Sequence, residues 1–266
     1  MSVLDTTCRF DVDNSIYEFS NKTCDLFRCV DGCFNSLFYM QILPIILARG
    51  GSVGVPRKNI RLLNGKPLLS YVLREALKVF PMVWVSTEDS EIASIAKEHG
   101  ATIIKRPPRL AQNDSKSIEV VQHALNHLKS RGGLNFTHTM VLNACTPFVS
   151  AQDIQNVVDI ASRNQSDSVV SLIYDSSSHP SKTCYLIDGK VLPTSNYSFE
   201  TGERQQQARI FKRNTALYLT KVSVIKKDSF FGKNCIGYEM PQERSLDINS
   251  EFDFLLAELY INHLSV

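Results

Sequence analysis

The sequence predicts an α/β protein with a mostly parallel sheet flanked by helices, and two observations carry that prediction. Apolar runs of strand length alternate with segments of helical period from residue 42 onward, which is the pattern of βαβ units. The first run, residues 42–48, breaks directly into Arg49-Gly50-Gly51-Ser52-Val53-Gly54. Glycines so closely spaced let the backbone take φ > 0 and approach a ligand. Successive N–H groups in such a turn can converge on one anion, with Arg49, Arg57 and Lys58 adding positive charge at its edges. A strand that feeds a basic glycine loop at its carboxyl end is where open α/β sheets take nucleotides.

The elements follow in order. Residues 1–40 lack periodicity and read as an extension of loops and a short helix. Residues 42–48 form the first core strand. Asn64-Gly65 marks a turn, and Pro67 opens a helix to about residue 80 at the first helical position that proline favours. Leu68, Leu69, Val72, Leu73, Ala76 and Leu77 form its apolar stripe. Residues 82–86 are a second strand, whose Trp84 belongs to the core. Asp89 caps a helix that Gly100 ends, and residues 102–104 are a third strand. A polar loop, 105–114, precedes a helix through residue 129. A strand at 139–143, a helix at 152–163 and a strand at 168–173 come next, with right-handed crossovers. The rhythm fails at Tyr174. Residues 175–213 hold a strand-like 183–187, an Asp188-Gly189 turn and a Gln-rich run, the marks of a β-rich insert. Regular structure resumes over 215–224, and a helix over 250–263 closes the chain.

Composition excludes several classes. With 43% hydrophobic and 21% charged residues this is an ordinary globular chain. A net charge of +2 with scattered basic residues gives no reason to expect nucleic acid as a partner, and no basic run reads as a nuclear import signal. The apolar stretch 37–48 is too short for a stable membrane span and contains Gln41 and Pro44. Seven cysteines, four of them at positions 8, 24, 29 and 33, match neither a zinc template nor a complete disulfide framework. The acidic start is a poor signal peptide. Five N-x-S/T sequons, at Asn21, Asn113, Asn135, Asn164 and Asn196, tilt an intracellular location toward the secretory pathway and Golgi, with the nucleus as the alternative.

His123 and His127 lie four apart, on what reads as an exposed helix edge, and no Glu completes a metal motif. No C-x-x-C pair is present. The glycine loop is neither a Walker A motif nor a dinucleotide fingerprint. A phosphate loop combined with carboxylates suits nucleotidyl transfer, which needs a held triphosphate, a divalent metal and an in-line hydroxyl.

The loop resembles the A-R-G-G-S-K-G-x-P-x-K-N signature of the cytidylyltransferases that activate sialic acid, in their animal form. It matches at Ala48, Arg49, Gly50, Gly51, Ser52, Gly54, Pro56, Lys58 and Asn59, with Val53 in place of Lys. Further blocks follow in the family's order. Ser86-Thr87-Glu88-Asp89 is similar to its S-T-D block, and Arg106-Pro107 with Leu110-Ala111 to its R-P-x-x-L-A loop. Leu142-Asn143-Ala144-Cys145-Thr146-Pro147 resembles L-Q-x-T-S-P. Arg204-Gln205 and Asn214-Thr215-Ala216-Leu217-Tyr218 resemble R-Q…N-G-A-x-Y. Asp247-Ile248-Asn249 with Asp253 resembles D-x-D-x-x-x-D.

The resemblance implies a Rossmann-like nucleotidyltransferase fold, that of nucleotide-diphospho-sugar transferases, over residues 41–266. It makes 1–40 a divergent extension and about 175–213 a β-rich insert through which the family forms homodimers. It implies that CTP and N-acylneuraminate give CMP-N-acylneuraminate and diphosphate with Mg²⁺. Arg49, Lys58 and Asp247 would be catalytic. Arg49, Gly50, Gly51, Ser52, Lys58, Asn59, Arg106 and Ser117 would hold the nucleotide. Asn143, Arg204, Gln205, Asn214 and Tyr218 would surround the sugar acid, and Asp247 with Asn249 would hold Mg²⁺. Val53 and Asn249 each remove one charge of opposite sign from the expected site. Two alternatives stay open: a cytidylyltransferase for another 2-keto-3-deoxy sugar acid, and a weak or inactive member acting as a nucleotide-binding or partner subunit.

Overall fold

The computed structural model describes residues 8–12, 15–19, 40–52, 54–130, 135–194 and 209–264. Val53, Arg204 and Gln205 lie outside the described residues, as does most of the Gln-rich part of the insert. At the N-terminus, β1 (Cys8–Val12) pairs antiparallel with β2 (Ser15–Phe19), so a hairpin replaces the expected helix and loops. The register sets Phe10 opposite Tyr17 and Cys8 opposite Phe19. β1 alternates apolar and polar residues, but over too few positions to stand out in the sequence, and β2 does not alternate.

The first core strand, β3 (Ile42–Leu47), is buried on both faces, as a central parallel strand must be. β4 (Leu62–Leu63) and β5 (Lys66–Pro67) form a minimal hairpin. Its turn is Asn64-Gly65, both at positive φ, as a two-residue hairpin requires. Pro67 is the N-cap of α1 (Leu68–Leu77) rather than its first residue. β6 (Trp84–Thr87) leads to α2 (Ser90–Glu98), whose Asp89 cap accepts from the N–H groups of Glu91 and Ile92. Gly100, at φ +91°, ends that helix, and β7 (Thr102–Lys105) follows. α3 (Ser117–Ser130), β8 (His138–Leu142), α4 (Ala151–Asn164) and β9 (Ser168–Tyr174) complete the regular alternation.

The insert contributes an exposed hairpin, β10 (Cys184–Ile187) and β11 (Lys190–Pro193), turned at Asp188-Gly189 as expected. β12 (Phe211–Lys221) begins earlier than expected and carries a bulge between Arg213 and Tyr218. α5 (Val222–Ile225), β13 (Cys235–Glu239) and α6 (Glu251–Leu264) close the chain. The sequence did not signal β13. It is an edge strand in which only Ile236 and Tyr238 are even half-buried, so its apolar pattern is faint.

The seven-stranded sheet has the order β13-β9-β12-β8-β3-β6-β7. β12 runs antiparallel to both neighbours, and every other pairing is parallel. The chain runs outward from β3 to β6 and β7, then crosses back to β8 on the other side of β3. That reversal places a crevice at the carboxyl ends of β3 and β8, where doubly wound sheets bind ligands. One core layer packs under α1, α2 and α4, with Leu69, Val72, Ile92 and Val157. The opposite layer packs under α3 and α5, with Leu43, Ile45, Val121 and Ile225, and includes Trp84 as expected. A third cluster joins Val55 of the glycine loop to Leu63, Leu68, Ile248 and Phe254. Among the described residues no helix is long and apolar enough to cross a membrane.

A buried carboxylate ties the sheet edge to the chain that approaches the crevice. Asp153, 0% exposed, completes a capping box with Ser150 at the start of α4. It also accepts from Tyr238 Oη at 2.8 Å and from Arg244 Nε and Nη2 at 2.8 and 2.9 Å. Burial alone would raise its pKa, but the bonds from Arg244, Ser150 and Tyr238 outweigh burial and hold it below the usual carboxylate range. A depressed folded pKa stabilises above the unfolded value of about 3.9, and that contribution is lost as pH falls through the folded pKa. Asp153→Ala should therefore cost about 3–5 kcal/mol at neutral pH by stranding Arg244 and the cap. Its thermal midpoint should also fall less than that of wild type between pH 5 and pH 3. Parallel acid profiles of the two proteins in thermal melts would show that Asp153 is not the coupled group.

Candidate active site

Three segments meet at the carboxyl ends of β3, β6 and β8: the glycine loop after β3, the turn after β8, and residues 246–249. The approach is close enough to dictate residue type. A Cβ on Gly54 would collide with the carbonyl of Asn249, and one on Gly50 would collide with the Asp89 carboxylate. Gly51 has open space where a Cβ would stand. Lys58 Nζ reaches across to donate to Ile248 O and, at 3.4 Å, to Asn249 Oδ1. Ile248 N donates to Cys145 O at 2.9 Å.

The loop's own charges sort into two groups. Arg57, expected to face the anion, is instead bound by Asp89 and Glu91. Those contacts raise its pKa, the bond from Asp89 foremost. Arg49 and Lys58 remain at the crevice. Arg49 Nη1 donates to Gln112 O at 2.6 Å and so joins the glycine loop to the loop before α3, whose exposed first residue is Ser117. Ser52 is half-buried in the loop. Asn59 is buried and donates to Arg49 O at 2.9 Å, so its amide braces the loop from beneath rather than facing the crevice.

Arg106 is 4% exposed and clamps the end of β6, donating from Nη2 to Ser86 O at 2.6 Å and from Nε to Ser86 Oγ at 3.2 Å. Burial pushes its pKa down to about 10, with Glu88 opposing and Arg49 adding to the shift. It is therefore still a cation at neutral pH. Beside it stands Glu88, to which the resemblance gave no role. Its Oε1 accepts from Gly50 N at 2.7 Å, and its Oε2 is buried without a hydrogen-bond partner. The histidine pair was expected on an exposed edge, but His123 and His127 are half-buried and stacked at 5.8 Å. His123 packs inward near Arg109 and Arg106, and burial together with His127 and these arginines lowers its pKa.

On the other side, Asn143 follows β8. Its Oδ1 accepts from Cys145 Sγ at 2.9 Å, and its Nδ2 faces Thr215 Oγ1 at 3.5 Å. Thr215 Oγ1 donates to Asp247 Oδ2 at 2.7 Å, while Asp247 Oδ1 is buried with no donor. The Cys145 thiol lies near both Asp247 and Lys58. Burial, with Asp247 adding and Lys58 opposing, pushes it up to about 11. Asn214, expected at the sugar, is 4% exposed and spent on the fold. It accepts from Ser171 Oγ at 2.6 Å and donates to Ser245 Oγ at 2.9 Å and to Met240 Sδ. Tyr218 is half-buried against Phe230 and Phe231, and burial raises its pKa. Thus Lys58, Asn143, Asp247 and Asn249 come together, Arg49 turns to Gln112 on the other side of the loop, and Asn59, Arg106 and Asn214 are buried in support.

A hard divalent cation fits the donors present. Among the described residues no group of three or more His, Cys, Asp or Glu could hold a metal alone. Asp247 Oδ1, buried and without a donor, and the amide oxygen of Asn249 are the oxygens that residues 246–249 present. Mg²⁺ commonly takes only one or two protein oxygens and completes its shell with phosphates and water.

Comparison with known proteins gives the family and the fold. Residues 43–238 match the cytidylyltransferase family. N-acylneuraminate cytidylyltransferase A of Danio rerio is 31% identical over 220 residues, covering 82% of this chain and 50% of that protein. The CMP-N,N'-diacetyllegionaminic acid synthase of Campylobacter jejuni is 30% identical over 226 residues, covering 84% of this chain and 95% of that protein. The chain thus spans about half the length of the first and nearly all of the second. Among solved structures, a CMP:2-keto-3-deoxy-manno-octonic acid synthetase with CTP superposes with a TM-score of 0.59 at 16% identity, over 84% of this chain and 98% of that one. That likeness shows the Rossmann-like nucleotidyltransferase fold. With a glycine loop at the switch point of the sheet and a family match over most of its length, the chain belongs to the cytidylyltransferase family.

Proposed function

We propose that this chain transfers a cytidylyl group from CTP to a sugar acid of the sialic acid type. The C2 hydroxyl of the acid attacks the α-phosphorus, and diphosphate leaves. The observation that carries this reading is the reach of Lys58 from the glycine loop to Ile248 and Asn249, which sets an ammonium beside Asp247. Cation, carboxylate and loop amides then surround one place for a triphosphate. Arg49 and Lys58 hold its phosphates, Ser52 and Ser117 flank the nucleotide, and Arg106 keeps a positive charge beneath. Asn143 and Tyr218 bind the sugar acid, together with Arg204 and Gln205, whose role rests on the motif resemblance alone. Asp247 and Asn249 hold Mg²⁺, which supplies charge neutralisation when bound.

A second acceptor has support of its own: the legionaminic acid relative is matched along nearly its full length. Diphosphate release should be followed with CTP and, in turn, N-acetylneuraminate, N,N'-diacetyllegionaminate and 3-deoxy-octulosonate. The expected order puts N-acetylneuraminate first. Preference for either other acid would reassign the substrate, and no release with any of them would leave an inactive, nucleotide-binding member.

Lys58→Ala and Arg49→Ala should each lower kcat/KM for CTP by about 10- to 100-fold, the worth of a charge-assisted hydrogen bond. Asp247→Ala should abolish Mg²⁺-dependent turnover without lowering the melting temperature by more than a few degrees. Full activity in any of these variants at limiting CTP would remove that residue from the site. If Val53 and Asn249 are a compensating pair, Val53→Lys and Asn249→Asp should couple, each harming alone what both together restore. Strictly additive effects would reject compensation.

Assembly follows from the insert. All eight residues of β10 and β11 are exposed, among them Tyr185, Leu186, Ile187, Val191 and Leu192. An isolated two-stranded hairpin is marginal in water, so it packs against a second copy in a twofold dimer. Light scattering at micromolar concentration should give twice the monomer mass, and Leu186→Lys with Leu192→Lys should halve it. A wild-type monomer with full turnover would reject the dimer.

A further inference from the structure

Among the described residues six non-glycine positions have positive φ, and Thr215, at +59°, is the one with a β-branched side chain. Branched residues are outliers there because the substituents on Cβ crowd the backbone. Strain of this kind persists where surrounding structure over-determines it, often at functional sites. The family pattern to which residues 214–218 are similar has glycine here, which would adopt the same backbone freely.

The hydroxyl shows what the strain is retained for. Asn143 N–H donates to Ala216 O at 3.1 Å, which locks the bulge against the end of β8. Thr215 Oγ1 is thereby placed between Asn143 Nδ2, at 3.5 Å, and Asp247 Oδ2, at 2.7 Å. The direction of the chain is fixed from its far end. Cys145 Sγ donates to Asn143 Oδ1 at 2.9 Å. Asn143 must then offer its N–H to Thr215, and Thr215 its O–H to Asp247. Asp247 is left with one engaged oxygen and one buried oxygen that meets no donor.

We propose that Thr215 is a positioning residue, whose hydroxyl takes up Oδ2 of Asp247 and leaves Oδ1 as the single atom that the carboxylate presents to a divalent cation bound with CTP. The inference rests on the cytidylyltransferase reading of the site. One-atom ligation suits the small octahedral shell of Mg²⁺, whereas Ca²⁺ readily accepts both oxygens of a carboxylate. Thr215 therefore favours the smaller ion.

The test uses Mn²⁺ as the probe. Free Mn²⁺ is followed by electron paramagnetic resonance as the full chain is titrated in the presence of CTP and without sugar acid. Thr215→Val keeps the branched shape and deletes the hydroxyl, so Mn²⁺ binding should weaken about tenfold or more. Thr215→Ser should bind within about threefold of wild type. Thr215→Gly should melt at or above the wild-type temperature, because the left-handed backbone suits it, yet bind Mn²⁺ as weakly as Thr215→Val. Calcium should inhibit Thr215→Gly more strongly than wild type. A valine variant that folds and binds Mn²⁺ like wild type would overturn the assignment, as would a glycine variant that binds more tightly. Absence of diphosphate release by wild type with every sugar acid would instead sink the activity, while the Mn²⁺ comparison would still judge Thr215.

Discussion

The site depends on the close passage of residues 246–249 against the glycine loop. Gly54 admits the carbonyl of Asn249, Val55 and Ile248 are both fully buried in one cluster, and Lys58 ties off Ile248 O. Ile248 N then binds Cys145 O and brings in the turn after β8. Three segments far apart in the chain are thus fixed by backbone contacts and apolar burial, with the Lys58 ammonium as a further tie. The backbone contacts and the burial persist when charges are screened or engaged by a ligand.

What the sequence disclosed follows from the range of each interaction. The strand at 42–47, the cap at Asp89, the Asn64-Gly65 and Asp188-Gly189 turns and the C-terminal helix rest on neighbours within a few residues, and each stands close to where it was expected. β13 and the bulge of β12 are made by pairing with β9, so their causes lie some 60 or 40 residues away in the chain. The same distinction divides the site. Lys58 and Asp247 were legible from motif resemblance. Glu88 and Thr215 acquire meaning only when Gly50 and Asp247 are brought to them. Asn214 shows the converse error: an amide that braces a bulge and one that binds a sugar are the same letter in a sequence. Its four partners identify it as the former.

The electrostatics of the loop are narrower than its composition implies. Arg57 is neutralised by Asp89 and Glu91, and Asp89 at the same time caps α2. The Gly50 amide already has a carboxylate partner in Glu88. The loop's capacity for an anion therefore resides in Arg49, Lys58 and the amides from Gly51 onward. Arg106 adds a buried cation whose nearest opposing charge is Glu88. Removing Glu88 would both free the Gly50 amide and leave Arg106 without that counter-charge, so the residue balances the loop from one side as Asp247 does from the other.

Both of these carboxylates keep one buried oxygen without a donor. An unsatisfied buried polar atom costs about 1–3 kcal/mol, and Thr215 adds backbone strain of similar size. A fold selected for stability alone would not retain three such features in one crevice. Two polar networks beside them are fully engaged: Asp153 meets Ser150, Tyr238 and Arg244, and Asn214 meets donors or acceptors on β9, on β12 and in the chain after β13. Those two networks grip the chain at Arg244 and Ser245, directly before residues 246–249. Among the described residues, two of the buried polar atoms without a partner, Glu88 Oε2 and Asp247 Oδ1, thus stand in segments at the crevice, while Trp84 Nε1, His123 Nδ1 and Ser166 Oγ lie elsewhere in the fold.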